Sequence, residues 1–196
     1  IDWIVTTGAN VYHDLHYALG YPVYQSGKVS WDDLKLRENR MIRIYDILFP
    51  EEALFQTDLF FQGIIREGRE FQKQMGTSEF YHLCGKFIAE RNHALKIETK
   101  TLLETAYQYD IPVFTSSPGD SSIGMNAAAM QFMGETALSI DSAIDVNDTA
   151  ALVYAAKRED KKSAVVILGG GSPKNFALQT EPQIQQIFGL QEAGHD

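Results

Sequence analysis

From Ala164 to Leu168 the chain runs Ala-Val-Val-Ile-Leu and then passes straight into Gly169-Gly170-Gly171, followed by Ser172-Pro173-Lys174-Asn175. Five aliphatic residues in a row, three of them β-branched, are the pattern of a strand buried on both faces, and such strands belong to parallel sheets covered by helices. Three successive glycines exceed what a turn requires. Each loses backbone entropy on folding, and together they leave N–H groups open to a closely approaching ligand. The loop is not a P-loop, because Lys174 lacks the required spacing and no Ser or Thr follows it; nor does G-x-G-x-x-G occur.

Similar short apolar runs occur at residues 3–7, 111–115 and 137–140, each closing on small or hydroxyl residues. Helical periods lie between them. Residues 101–107 and 149–156 have that spacing, the second with Asn147 and Asp148 as candidate N-caps. Pro50-Glu51-Glu52 opens a long helix with Leu54, Phe60, Phe61, Ile64 and Ile65 on its apolar face, and Ser78-Glu79 opens another. The alternation predicts one α/β domain over residues 1–196, with a mostly parallel sheet and an inserted helical region.

Composition narrows the partners. With 17 basic against 26 acidic side chains, the net charge of -9 repels phosphate backbones, so nucleic acid is not expected. Cys84, the single cysteine, lies among Phe80, Leu83, Phe87 and Ile88 and reads as a small buried hydrophobe in a reducing compartment. No run is long and apolar enough for a membrane span, and Ile1-Asp2-Trp3 has no signal-peptide character, so a cytoplasmic protein is expected. An opening directly on a strand-like run suggests that the chain is a piece of a longer one.

In a parallel sheet, ligands bind beyond the carboxyl ends of the strands. The first such loop, Thr6-Thr7-Gly8-Ala9-Asn10, offers hydroxyls and N–H groups before a helix, which suits a diphosphate or serves the turn alone. The second, from Thr115 to Asn126, is long and polar; its Asp120 either accepts from ribose hydroxyls or caps the helix that follows. His13 and His16 are three apart on one helix, but no Cys or carboxylate of ligand spacing accompanies them, so no metal is expected. His13 reads as a polar site residue and His16 as packing or surface. His82, His93 and His195 carry no pattern. The mixed charges from Lys157 to Lys162 and from Leu36 to Arg40 read as solvated helix surface.

Taken in order, these loops resemble the deoxyhypusine synthase family, including its bacterial deoxyhypusine-synthase-like and homospermidine synthase branches. The matching motifs are Thr6-Thr7-Gly8 with His13-Asp14-Leu15, Leu36-Arg37-Glu38-Asn39 with Arg43-Ile44, Ile111-Pro112-Val113-Phe114, Asp120-Ser121-Ser122-Ile123-Gly124, and Ile167-Leu168-Gly169-Gly170-Gly171 with Lys174. The resemblance implies a doubly wound, Rossmann-like NAD-binding fold assembled as a homotetramer with active sites at dimer interfaces. It implies NAD-dependent aminobutyl transfer from a polyamine through an imine on an enzyme lysine. Thr6, Thr7, Gly8 and Asp120 then correspond to cofactor contacts, and His13, Asn126, Gly170 and Asn175 to the amine side. The family carries acids where His13 and Met125 stand here, and a histidine where Asn175 stands. Its Trp-Gly-Lys segment has no counterpart in these residues, so no catalytic residue is assigned and Lys174 matches a non-catalytic lysine. Transfer to a small amine is the leading expectation. Transfer to a protein lysine and a non-catalytic NAD-binding module are the alternatives.

Overall fold

The structure, a computed structural model, describes residues 1–27, 32–159 and 161–191; Asp160 and His195 lie outside the described residues. Strand β1 (Ile4–Thr6) leads into α1 (Gly8–Ala18), whose N-cap Thr7 accepts a hydrogen bond from the Asn10 amide at 3.2 Å. Next come β2 (Tyr24–Gln25), α2 (Asp33–Glu38), β3 (Met41–Ile44) and β4 (Ile47–Pro50). Pro50 stops the strand and starts α3 (Glu51–Glu67), where Glu51 and Glu52 face the positive end of the helix dipole. The chain continues through β5 (Gln74–Met75), α4 (Thr77–Leu95), α5 (Leu102–Gln108), β6 (Val113–Thr115) and α6 (Ser122–Phe132). It ends with β7 (Ser139–Ile140), α7 (Ser142–Arg158), α8 (Ser172–Leu178) and a short helical stretch running to Ile187.

Strands β1 and β6 pair in parallel, with Thr6 opposite Thr115 at their carboxyl ends. Strands β5 and β7 form a second parallel pair, and β2-β4-β3 a small antiparallel sheet. The fold is α/β with parallel pairing, as expected. The core lies between the first pair and the helices, where Tyr12, Phe61, Phe71, Phe80, Ile88 and Ile123 are shut from solvent. Each such side chain contributes on the order of 1.5–3 kcal/mol relative to exposure. Cys84 is buried among them, and burial raises its thiol pKa, so it behaves as the expected small hydrophobe.

Three expectations are corrected. Residues 164–168 are not a strand, and Val166 and Leu168 are 85% and 95% exposed. A strand exists only by pairing, and among the described residues no strand pairs with this run. The four expected strands accordingly do not join into one sheet. Asn147 and Asp148 do not cap α7 either; the helix begins at Ser142, seven residues before Thr149, and Asp141 caps it by accepting from the Ala143 amide at 2.9 Å. Asp145, inside that helix, turns its buried carboxylate onto the Thr77 and Ser78 amides at 2.9 and 3.3 Å, anchoring the start of α4 on α7. No helix among the described residues is long and apolar enough to cross a membrane.

Candidate functional site

The register of β1 and β6 sets Thr6 beside Thr115, so the loops that follow them leave the sheet side by side. Thr115 is fixed from below, its amide donating to Thr77 Oγ1 and its hydroxyl to Tyr81 Oη, both at 2.9 Å. In the first loop Asn10 Nδ2 donates to Thr6 Oγ1 at 3.1 Å. The two loops then meet. A Cβ on Gly8 would lie 2.3 Å from Ser121 Oγ, so only glycine allows α1 to start this close to the N-cap of α6. Ser116 Oγ and Ser172 Oγ, 2.6 Å apart, join the second loop to the glycine-rich third.

The third loop holds its shape through Gly169 and Gly170 at φ +86° and +80°, the left-handed region that side chains disfavour. Gly119, Gly169 and Gly171 have nothing near the position of an added Cβ, which leaves their backbone open. No side chain caps α6 or α8, so their first N–H groups remain available to an anion beside those of α1. Asp120 is exposed and is not the cap of α6, which is Ser121. Asn175 is also exposed, in the first turn of α8. The residues expected to contact a cofactor, Thr6, Thr7, Gly8 and Asp120, thus lie on two adjoining loops, and Gly170 and Asn175, expected on the amine side, on the third. Clefts of about 450 and 480 Å³ lie elsewhere, one beside Glu79, His82 and Asp110 and the other beside His93 and Lys100, and neither includes a residue of the three loops.

One turn deeper, α1, α3 and α6 enclose a polar cluster. Tyr12 Oη donates to Asp58 Oδ1 at 2.8 Å and also approaches Leu54 O at 2.9 Å. Asn126 Nδ2 donates to the same Asp58 oxygen at 2.7 Å and to Ser122 O at 2.8 Å, while its Oδ1 accepts from Gln62 Nε2 at 2.5 Å. Asn126 therefore ties α6 to α3. Burial, with the Asp58 carboxylate as a second cause, raises the Tyr12 pKa.

His13 Nδ1 lies 3.1 Å from His16 Nε2, and His16 Nδ1 lies 2.8 Å from Thr57 Oγ1. His16 has no exposure at all and packs against Phe49 and Tyr12, so of its two expected roles it takes packing. Burial and the neighbouring His13 lower its pKa to about 4; burial lowers that of His13 as well. Among the described residues no group of three or more His, Cys, Asp or Glu is placed to hold a metal. Asp14 turns aside and accepts from the Leu102 amide at 2.6 Å, capping α5. Tyr12, Thr57, Asp58 and Gln62 were not read from the sequence. The signal available in α3 was Thr57 on the otherwise apolar stripe Ala53, Thr57, Phe61 and Ile65, with Asp58 and Gln62 four apart on the flank beside it.

The family model described as deoxyhypusine synthase matches residues 1–196, the whole chain. The chain belongs to the deoxyhypusine synthase family. Among its relatives, a "Deoxyhypusine synthase-like protein" of Nostoc sp. is 54% identical over 196 residues, covering all of this chain and 50% of the relative. One of the same name from Thermosynechococcus vestitus is 49% identical over 199 residues, with 100% and 49% covered. A "Probable deoxyhypusine synthase 2" of Methanosarcina acetivorans is 36% identical over 196 residues, with 100% and 53% covered. The chain thus spans about half the length of the curated relatives it matches.

Proposed function

We propose that this chain is the NAD-binding part of an NAD-dependent aminobutyl transferase that acts on small polyamines. The observation that carries the reading is the convergence of the two strand-end loops with the glycine-rich loop, with Thr6 and Thr115 in register and Ser116 joined to Ser172. The open glycine backbone and the uncapped starts of α6 and α8 supply N–H groups for a diphosphate such as that of NAD, with phosphates assigned to Thr6, Thr7 and Gly8 and a ribose to Asp120. The bound cofactor supplies hydride acceptance and return. The chain's own residues position the ligands, with His13, Gly170 and Asn175 on the amine side and Asn126 holding α6 in place.

In the longer protein the strand-like run at 164–168 extends the β1-β6 pair toward a doubly wound sheet, because its exposed aliphatic side chains need cover. Given NAD and a labelled polyamine, that protein should form an imine trappable by borohydride on a lysine outside residues 1–196. Trapping on Lys174 would overturn this account. If the acceptor is a protein lysine, putrescine will fail to receive the label. Replacing Asp120 with Ala should weaken NAD binding about 10–100-fold by calorimetry, the worth of a charge-assisted hydrogen bond to a hydroxyl. Unchanged affinity would remove Asp120 from the site.

The protein is proposed to be a homo-oligomer, a tetramer by family. Phe55 and Leu59 are exposed one turn apart on α3, and Phe132, 93% exposed, adjoins exposed Met133 at the end of α6. Light scattering of the longer protein should show at least a dimer, and a monomer at micromolar concentration would contradict the shared site.

A further inference from the structure

The Thr57 hydroxyl lies 2.7 Å from Ala53 O, the carbonyl one turn back, and donates its only proton there. Were that proton turned elsewhere, two oxygen lone pairs would face each other at this distance. His16 Nδ1, 2.8 Å from the same hydroxyl oxygen, must therefore be the donor. His16 is completely buried and its pKa is lowered to about 4, so the ring is neutral near pH 7 and its Nε2 is bare. His13 Nδ1, 3.1 Å from that bare nitrogen, must in turn carry a proton. His13 is held less tightly. It is half-buried, bordered by the Tyr12 and Phe49 rings, and burial favours its neutral form too.

We propose that Thr57 and His16 are positioning residues that lock His13 in its Nδ1–H tautomer, so that His13 Nε2 is a bare acceptor for an N–H of the substrate amine. The amine rests on the function proposed above; the tautomer rests on the hydrogen-bond chain and on the burial that keeps His16 neutral. A neutral acceptor at this point recognises an amine by direction of the hydrogen bond, whereas a carboxylate would recognise it by charge. Had the chain run the other way, from the Thr57 hydroxyl through His16 to His13, Nε2 of His13 would carry a proton and repel an ammonium group.

The test is a long-range proton–nitrogen correlation spectrum of the longer protein labelled with nitrogen-15 histidine, taken near pH 7 without ligand. Both rings are expected with the proton on Nδ1 and Nε2 bare. A proton on His13 Nε2 would overturn the relay. Thr57→Val should release both rings into mixed tautomers and Thr57→Ser should keep them fixed, a distinction that a purely structural threonine would not produce. If Thr57→Val does not fold, the wild-type spectrum still decides. Putrescine should then shift the His13 Nε2 resonance, and its affinity should fall about tenfold in Thr57→Val, the worth of one directed hydrogen bond. Correct tautomers with no response to putrescine would overturn the amine as ligand while leaving the relay standing.

Discussion

Lowering the pH from about 6.5 to about 4 should remove on the order of 3 kcal/mol from the stability of the chain, because His16 is protonated over that range when unfolded but resists it when folded. A base whose pKa is depressed by folding stabilises the native state fully above its unfolded pKa. That stability is lost as the pH falls toward the folded value. His13, lowered in the same direction by burial, adds to the loss. Asp14 and Asp145 act oppositely, since burial raises both, and a folded state that holds their protons more tightly gains on acidification. They damp the profile without reversing it if His16 dominates. Urea midpoints measured across this range should fall in the native sequence and change much less in His16→Gln, whose amide can still donate to Thr57 and accept from His13. Parallel profiles for the two proteins would exclude His16 as the titrating group.

The three loops were legible because their signals are local. Thr6-Thr7-Gly8, the hydroxyl-rich run after Thr115 and the three glycines each mark the end of an apolar run, and the structure brings all three together. The aliphatic run at 164–168 has the same local signature yet forms no strand, because pairing depends on a neighbour that the run itself does not specify. The β3–β4 hairpin was missed for a related reason. Its turn places Tyr45 at φ 53°, a position where sequence reading looks for Gly, Asn or Asp. The start of α7 was displaced because Asn147 and Asp148 are stronger local caps than their tertiary setting allows. Asp145, one turn into the helix, is held by the start of α4, and that contact requires residues 142–146 to be helical. The His13–His16–Thr57 chain was half legible. Two histidines three apart were visible, but the hydroxyl that orders them lies 41 residues further on in α3.

The glycine that matters most to the candidate site is expected to be Gly124, which no local signal separates from its neighbours. A methyl group added there would sit 1.9 Å from Pro118 O and 2.6 Å from Pro118 C, both backbone atoms, so the second loop cannot keep its path over the first turn of α6. Overpacking of this kind costs on the order of 1–3 kcal/mol. The displaced segment runs from Ser116, which touches Ser172, to Ser121, which adjoins Gly8, so opening it parts all three loops at once. Gly124→Ala should therefore lower the urea midpoint and weaken NAD binding by at least about tenfold, the loss of one or more hydrogen bonds. Gly119→Ala is the control, since an added Cβ there meets nothing within 4 Å and the backbone is not in the left-handed region. Its stability should stay within about 0.5 kcal/mol of the native chain. Equal losses of affinity in the two variants would mean that the loop backbone at Gly119 touches the ligand directly. Full affinity in a folded Gly124→Ala protein would mean that the cofactor does not depend on the joined loops at all, and the proposed site would have to be moved.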